Sequence, residues 1–321
     1  MRAILRVADT IIMRIGFDWR DPPKNKPHVS LEKLASIAKH LALHYARGWA
    51  GGSKVHCIYW EVWNEPDIDR FWSGSPEEYF DLYEAVARAI KEVAPEHLVG
   101  GPAIAYDPEF LEKILEYCKE HKVPLDFVSW HIYTDDPKAV AEKAWRVRRL
   151  MMKYGYGDLL SVLDEWNCWW NKEPQKFFRS SKAAAFQVAV LIYLQDAPVD
   201  VAALYRGDAW NWGGIFHEDG RPGKPYYAWM AFKRLIEESE QRVRVRVERE
   251  KLAVAAGLVS RGMIVPVSNY GDEQCEYSIE SQGPSYEIVE AYAVDPQRDL
   301  EPIACEDAGC LVEPTQYSCY C

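Results

Sequence analysis

The sequence predicts an α/β protein, a (β/α)8-type TIM barrel followed by a small antiparallel β-domain. From residue 30 to about residue 240, strand-like apolar runs alternate with amphipathic helices, the pattern that builds a parallel sheet. Beyond about residue 240, short runs of alternating hydrophobicity follow one another without helices, as in antiparallel sheets. We therefore expect a barrel-like domain over residues 1–238 and a β-sandwich-like domain with a cysteine-rich tail over residues 239–321.

Six strands are predicted for the barrel, where a complete one has eight. They lie near Ile11 to Gly16, Val55 to Asn64, His97 to Gly101, Leu125 to His131, Leu159 to Glu165 and Val199 to Tyr205. In the C-terminal domain, strands are expected within Arg242 to Val247, Met263 to Val267 and Tyr286 to Val289.

Three of the intervening helices begin at recognisable caps. The segment Ser75-Pro76-Glu77-Glu78 is a capping box with proline at the first helical position, followed by apolar residues at helical spacing. The same combination, a capping residue followed by proline, occurs at Asp107-Pro108 and Asp136-Pro137 and predicts helices of about four turns.

Two glutamates stand at the ends of apolar runs that are typical of buried strands. Glu65 follows the run that begins at Val55, and Glu165 follows the run that begins at Leu159. The carboxyl ends of barrel strands carry the chemistry of this fold, so the two side chains are expected to converge. A pair of carboxyl groups is what cleavage of a glycosidic bond requires.

Alternation along a strand gives a second indication of the site. It places His131 and Tyr133 on one face of their strand, at the mouth of the barrel. In the strand that ends at Glu165, the same rule puts Ser161 and Leu163 on the face of that glutamate.

The strand of the first glutamate is less regular. Asn64 and Glu65 are adjacent, so a bulge or twist is needed if both are to contact a substrate. Glu61 shares the parity of Glu65 and would lie deeper, where an unpaired charge is costly. Arg14 on the neighbouring strand is its predicted partner.

The composition excludes several classes of function. A formal net charge of -11 and the lack of a basic cluster argue against binding nucleic acid. Charges interrupt the apolar run at the start of the chain, so neither a secretory signal nor a membrane span is expected, and we expect a cytoplasmic protein. Few Asn and Gln residues beside abundant Glu, Lys and Arg suit a thermophile.

Five of the eight cysteines lie in the last fifth of the chain: Cys275, Cys305, Cys310, Cys319 and Cys321. The final C-x-C lacks the usual zinc spacing, which makes a structural metal the weaker alternative. Free thiols and a disulfide that holds the tail both stay open.

An ordered set of motifs resembles a known family. It consists of Tyr59-Trp60-Glu61-Val62-Trp63-Asn64-Glu65-Pro66-Asp67, Phe71-Trp72-Ser73-Gly74, Gly100-Gly101-Pro102-Ala103, Ser129-Trp130-His131-Ile132-Tyr133 and Asp164-Glu165-Trp166-Asn167. The set is similar to glycoside hydrolase family 39, which contains retaining β-xylosidases and α-L-iduronidases. The match runs in order from about residue 10 to residue 235.

The resemblance implies a retaining double displacement on β-linked glycosides, with an exo-acting β-xylosidase as the first candidate. Glu65 would be the general acid/base and Glu165 the nucleophile, about 5 to 5.5 Å apart. Asn64 would bond the sugar 2-hydroxyl, His131 would bind a further hydroxyl, and Tyr133 would donate a hydrogen bond to the nucleophile. Trp210 or Trp212 would floor the sugar subsite, and neither a metal nor a cofactor is implied.

The resemblance also implies two barrel strands before the one near Ile11. Their absence predicts either an open barrel or one that another subunit or chain completes. An open edge favours pairing, which makes a homo-oligomer across that edge the expected remedy. Two alternatives to a working glycosidase follow: a glycan-binding protein that has lost turnover, and a subunit that functions only within an assembly.

Overall fold

A computed structural model describes residues 4–8, 10–17, 25–27, 29–284, 287–304, 309–312 and 317–320. Six strands form one sheet in chain order: β1 (Ile11–Ile15), β2 (Ile58–Val62), β3 (Leu98–Ile104), β4 (Phe127–Thr134), β5 (Leu160–Cys168) and β6 (Val201–Leu204). The printed registers of β1 to β4 are parallel. All six predicted strands are confirmed, and the sheet has six of the eight strands of a (β/α)8 barrel.

Seven α-helices lie between or after these strands in the described residues. They are α1 (Leu31–Arg47), α2 (Pro76–Val93), α3 (Pro108–His121), α4 (Pro137–Tyr154), α5 (Pro174–Phe177), α6 (Ser181–Leu194) and α7 (Lys224–Glu238). The predicted caps are confirmed. Ser75 and Glu78 form a reciprocal capping box on α2, and the Asp107 carboxylate accepts the Glu109 N–H at 2.8 Å on α3. On α4, the Asp136 carboxylate accepts the Lys138 N–H at 3.0 Å.

The chain divides into two compact units. Unit 1 comprises Met1–Ile132, Ala144–Trp166 and Pro198–Ala203, and unit 2 comprises Tyr133–Lys143, Asn167–Ala197 and Leu204–Cys321. Large side chains such as Trp60, Trp63 and Tyr83 fill the interior of unit 1. In unit 2, apolar residues of α6 and α7 pack with residues of the C-terminal strands in one cluster. The predicted division at residues 238 and 239 stays a prediction.

The C-terminal strands are short and pair antiparallel, as expected. They are β7 (Gln241–Val243), β8 (Leu252–Val254), β9 (Ala256–Val259), β10 (Gly262–Ile264), β11 (Val267–Asn269), β12 (Cys275–Ser278), β13 (Ala291–Val294), β14 (Asp299–Pro302), β15 (Gly309–Val312) and β16 (Tyr317–Tyr320). They form three sheets, ordered β10-β9-β7, β14-β13-β16-β11-β8 and β12-β15.

Three of the expected C-terminal strands differ in the structure. The run Arg242 to Val247 leaves the sheet after Val243 because its alternation has no buried side: Val245 and Val247 are 37% and 38% exposed. The run Met263 to Val267 is divided between β10 and β11, as expected at Pro266, which has no N–H to donate. Residues 287–290 form no strand, and Tyr286 lies outside the described residues.

The thiol of Cys275 is buried and free. Cys305 and Cys321, and the side chains of Cys310 and Cys319, fall outside what the structure describes. A disulfide in the tail therefore stays a prediction. Among the described residues, no helix combines the length and the apolar character that a membrane crossing requires.

Candidate active site

The first glutamate follows β2 on an irregular backbone. After Val62, both Trp63 and Glu65 adopt left-handed backbone angles, with φ of 73° and 45°. These angles break the alternation of the strand, as the adjacency of Asn64 and Glu65 predicts. Both side chains are consequently buried, with relative exposures of 1% and 7%.

Trp63 can turn back because Gly16 follows β1 without a side chain. A Cβ atom on Gly16 would lie 2.5 Å from the Trp63 ring, and its φ of +114° is one that L-residues rarely adopt. The indole is fully buried and donates to the Phe71 carbonyl at 2.8 Å. The position of Trp63 thus sets the path of the chain that leads into Glu65.

Arg14 joins three carboxylates of unit 1. The parallel register of β1 and β2 places it opposite Glu61, to which its Nε donates at 2.6 Å. Its Nη2 donates to Asp164 at 2.9 Å, and its Nη1 lies 3.6 Å from a Glu165 oxygen. The predicted pair of Arg14 and Glu61 is confirmed, and the same guanidinium extends to the second glutamate motif.

His131 links the two motifs from β4. Its Nδ1 lies 2.8 Å from Glu65 Oε1 and 3.9 Å from Glu165 Oε2, while its Nε2 lies 3.4 Å from Asp164 Oδ2 and 3.2 Å from Arg14 Nη2. Only 1% of the residue is exposed. Both ring nitrogens therefore face charged groups of the protein, and the predicted contact with a sugar hydroxyl stays a prediction.

The electrostatics of the cluster follow from burial and close pairing. Burial alone would lower the pKa of His131, but the carboxylates of Asp164, Glu65 and Glu165 raise it to about 10. Burial would raise the pKa of Asp164, but His131 and Arg14 lower it to about 2. We therefore expect an imidazolium and a carboxylate at these two positions at neutral pH.

The surroundings of Arg14 and of Glu61 raise the pKa of both groups. Burial, which disfavours the carboxylate, and the nearby Asp164 charge outweigh Arg14 and raise the pKa of Glu61 to about 7. Burial opposes the charge of Arg14, but its three carboxylates raise the pKa of the guanidinium on balance. Four carboxyl groups thus surround two basic side chains, and Glu61 is the carboxyl group whose pKa is raised to about 7.

The two motif glutamates approach each other closely. One carboxylate oxygen of Glu65, one ring nitrogen of His131 and one carboxylate oxygen of Glu165 all lie within 4.8 Å of one another. Such a spacing suits two carboxyl groups that act on the same bond, one by protonation and one by direct attack.

Two sets of three side chains have the donor atoms of a metal site. They are Glu61, His131 and Asp164, and Glu65, His131 and Glu165. In the first set the Arg14 guanidinium already lies within hydrogen-bond distance of both carboxylates. In the second, His131 is engaged with Glu65 at 2.8 Å. The arrangement is that of a hydrogen-bonded ion cluster, and we propose no metal there.

The side-chain oxygen of Asn64 is a buried polar atom that has no hydrogen-bond partner within the part of the chain that the structure describes. Buried polar atoms nearly always have a partner, so an unsatisfied one beside Glu65 needs an explanation. A hydroxyl group of a bound ligand would satisfy this acceptor.

The other three predicted site residues lie in unit 2. Tyr133 contacts Trp212 with ring centroids 5.0 Å apart, and Trp212 Nε1 donates to the Trp170 carbonyl at 2.8 Å. Trp210 is 60% exposed, with the Arg206 guanidinium 5.4 Å from its ring centroid. Trp212 is thus tied into an aromatic cluster with Tyr133, whereas Trp210 presents its ring to solvent.

Asp164 is the residue of the cluster to which sequence reasoning gave no role. Alternation puts it opposite Glu165, yet both of these neighbours reach Arg14. The Arg14 guanidinium therefore reaches two successive residues of β5, which alternation assigns to opposite faces. A second carboxylate directly before the predicted nucleophile was the signal for its involvement.

A cavity of about 660 Å³ lies in unit 2. Its lining includes the cationic side chains of Lys138, Arg242, Arg244 and Arg249, and none of the four clustered carboxyl groups. Its composition gives no reason to place glycosidic chemistry there.

Comparison with known families gives one match that covers most of the chain. The model of "Glycosyl hydrolases family 39" matches residues 21–237. A beta-xylosidase from Caldicellulosiruptor saccharolyticus is 32% identical over 220 residues, which are 64% of this chain and 42% of that protein. A beta-xylosidase from Geobacillus stearothermophilus is 39% identical over 123 residues, 37% of this chain and 23% of that protein. The chain therefore spans less than half the length of each relative.

Solved structures share the fold. A glucosidase from Croceicoccus marinus aligns with a TM-score of 0.72 at 24% identity, covering 92% of this chain and 75% of that one. A monomeric beta-xylosidase from Caulobacter crescentus aligns with a TM-score of 0.70 at 18% identity, covering 98% and 78%.

Proposed function

The chain belongs to glycosyl hydrolase family 39, and from this premise we propose that it is a retaining glycosidase that acts on β-linked glycosides. One observation carries the proposal: one carboxylate oxygen of Glu65 and one of Glu165 lie within 4.8 Å of each other. Retaining enzymes hold their carboxyl groups about 5 to 5.5 Å apart, whereas inverting enzymes leave a wider gap for a water molecule.

In the first step, a Glu165 oxygen bonds to the anomeric carbon while the bond from that carbon to the leaving oxygen breaks. Glu65 gives its proton to the departing oxygen. The Arg14 guanidinium lies 3.6 Å from Glu165 and so places a positive charge beside the attacking carboxylate. His131 Nδ1 lies 2.8 Å from Glu65 Oε1 and so helps to hold that carboxyl group in place.

In the second step, water attacks the anomeric carbon and passes a proton to Glu65, and the bond to Glu165 breaks. The side-chain oxygen of Asn64 is proposed to accept a hydrogen bond from the sugar 2-hydroxyl, an interaction that strengthens as the transition state develops positive charge. Its otherwise unsatisfied, buried oxygen supports this role. In unit 2, Tyr133 and either Trp210 or Trp212 stay proposed as substrate contacts. Trp212 packs against Tyr133, and Trp210 is the exposed ring of the two.

The substrate proposed first is a β-xyloside, from which a xylose unit is released at the end of the saccharide. Two relatives bear the name beta-xylosidase, and this choice rests on them. No role for nucleic acid or a membrane is proposed, and the cytoplasmic location stays a proposal.

A second candidate is a subunit that acts only in an assembly. β1 and β6 stand at the two ends of the sheet order, and each has one strand neighbour among the described residues. Unpaired strand edges favour association, which supports a homo-oligomer across such an edge.

The test uses purified chain with a panel of 4-nitrophenyl glycosides, beside Glu165→Gly and Glu65→Ala. We expect hydrolysis by the native chain and a loss of at least about 10³-fold in Glu165→Gly. Azide should rescue both variants, giving the α-glycosyl azide with Glu165→Gly and the β-azide with Glu65→Ala, because azide replaces a different group in each.

Asp158→Gly is the matched control, since Asp158 is an exposed carboxylate on a turn of unit 1. It should keep the native rate. A folded native chain that releases product from no substrate, even at high concentration, would shift the weight to the assembly candidate or to glycan binding.

A further inference from the structure

The loop after β3 is tied to the segment of the proposed acid/base. Asp67, two residues after Glu65, accepts the backbone N–H groups of Ala105, Tyr106 and Asp107 at 3.1, 2.7 and 3.0 Å. Charge-assisted bonds of this kind are among the stronger hydrogen bonds in proteins. Two residues of extended chain span at most about 7 Å, so the loop cannot lie far from Glu65.

This loop carries an exposed aromatic ring. Tyr106 is 68% exposed, whereas Tyr79 and Tyr83 of the same unit are fully buried. Partial burial, together with the carboxylates of Glu65 and Asp67, raises the pKa of the Tyr106 phenol. The ring therefore lies within electrostatic range of Glu65 while its surface stays open to solvent.

A single exposed tyrosine is ordinary on a protein surface. Here three consecutive backbone groups are held by one carboxylate, and that carboxylate belongs to the segment that follows Glu65. The ring is thus held on a loop whose position is set by the acid/base segment. A ring that is both exposed and positioned in this way is suited to stack on a ligand.

Resting on the proposed function, we infer that Tyr106 is the aromatic platform of the leaving-group subsite. Glu65 protonates the leaving oxygen, so a ring fixed near Glu65 lies on the side of the bond from which the leaving group departs. The C–H face of a sugar ring would pack on this platform. The chain therefore prefers β-linked saccharides whose leaving group is itself a sugar over glycosides with a small leaving group.

The test compares substrates that share the attacked sugar and differ in the leaving group. They are the disaccharide of two β-linked xylose units and β-xylosyl fluoride. The leaving group of the fluoride has no ring that could contact the platform. Tyr106→Ala should lower kcat/KM for the disaccharide about tenfold, within the range of one aromatic stacking contact, and leave the fluoride within about twofold. Tyr106→Phe should keep most of the activity on both.

Trp145→Ala is the matched control, because Trp145 is 49% exposed on α4 in the same unit. Trp145→Ala should leave kcat/KM unchanged for both substrates. Native activity with equal effects of Tyr106→Ala on both substrates, or none on either, would overturn the inference alone. A native chain that hydrolyses neither substrate would overturn the proposed function and the inference with it.

Discussion

The Arg14 guanidinium and the His131 ring are the two basic groups among four clustered carboxyl groups. Arg14 lies 2.6 Å from Glu61 and 2.9 Å from Asp164, and its side chain is 22% exposed. Removal of one partner from such a buried cluster would leave an uncompensated charge, which is more costly than loss of a surface ion pair. The cluster therefore affects both the stability of the fold and the electrostatics of the site.

The pKa values of two residues give the cluster a pH dependence. The folded pKa of His131, about 10, lies above its ordinary 6.5. Its contribution to stability is therefore fully present below pH 6.5 and is lost as pH rises through about 10. The folded pKa of Asp164, about 2, lies below its ordinary 3.8. Its contribution is present above pH 3.8 and is lost as pH falls through about 2.

At the residue scale, Asp164→Asn tests this account. Among the groups that raise the pKa of His131, Asp164 comes first, so its neutralisation should lower that pKa below about 10. The free energy of unfolding at pH 7 should fall by roughly 3 kcal/mol, as for a broken buried pair. NMR titration of His131 and urea unfolding at several pH values measure the two effects.

Asp158→Asn removes an exposed carboxylate from the same unit and should alter neither quantity. An unchanged pKa of His131 in Asp164→Asn would contradict the assigned cause.

At the element scale, the end of β2 depends on β1. Trp63 and Glu65 have left-handed backbone angles, and the space for the Trp63 ring exists because residue 16 is glycine. Residues in such conformations persist only where their surroundings hold them. The irregular chain after β2 is therefore a consequence of packing between two neighbouring strands.

Gly16→Ala should be strongly destabilising. The new Cβ would overlap the fully buried Trp63 ring at 2.5 Å, and φ of +114° adds backbone strain. Together these effects predict a loss of about 2 to 5 kcal/mol of unfolding free energy, and a loss of activity as Glu65 shifts. Thermal and urea unfolding measure the first, and kcat/KM the second.

Gly207→Ala is the matched control, because nothing lies within 4 Å of the Cβ position there. It should change stability by less than about 1 kcal/mol. Equal stability of the two variants would show that Gly16 is not needed for the path of Trp63.

At the scale of the whole molecule, the ends of the six-stranded sheet bear on association. β6 is one end of the sheet order, and Ala202 is exposed on it. A charged side chain on an edge strand discourages pairing with another copy. The proposed homo-oligomer thus makes a prediction about this strand.

Sedimentation should show native chain at twice its mass of 37.0 kDa, with Ala202→Lys displaced towards the monomer by at least tenfold in Kd. Ser36→Lys, an exposed position on α1, should behave as the native chain. A native monomer at every concentration would rule out the oligomer, and a dimer insensitive to Ala202→Lys would exclude pairing through β6.

Much of the fold was predictable because its signals are local. The six apolar runs, and the caps at Ser75, Asp107 and Asp136, each act within a few residues. The partner of Glu61 followed from the cost of burying a lone charge. The strand predicted over Arg242 to Val247 failed because alternation indicates a strand only where one face is buried.

By itself, the sequence determined the alternating α/β order, the six strands and the family through its ordered motifs. Only the tertiary structure decided that Arg14 serves three carboxylates, that His131 lies between Glu65 and Asp164, and that Tyr106 is held by Asp67. These contacts join residues far apart in the chain. Their geometry depends on strand register and side-chain packing, which no local pattern encodes.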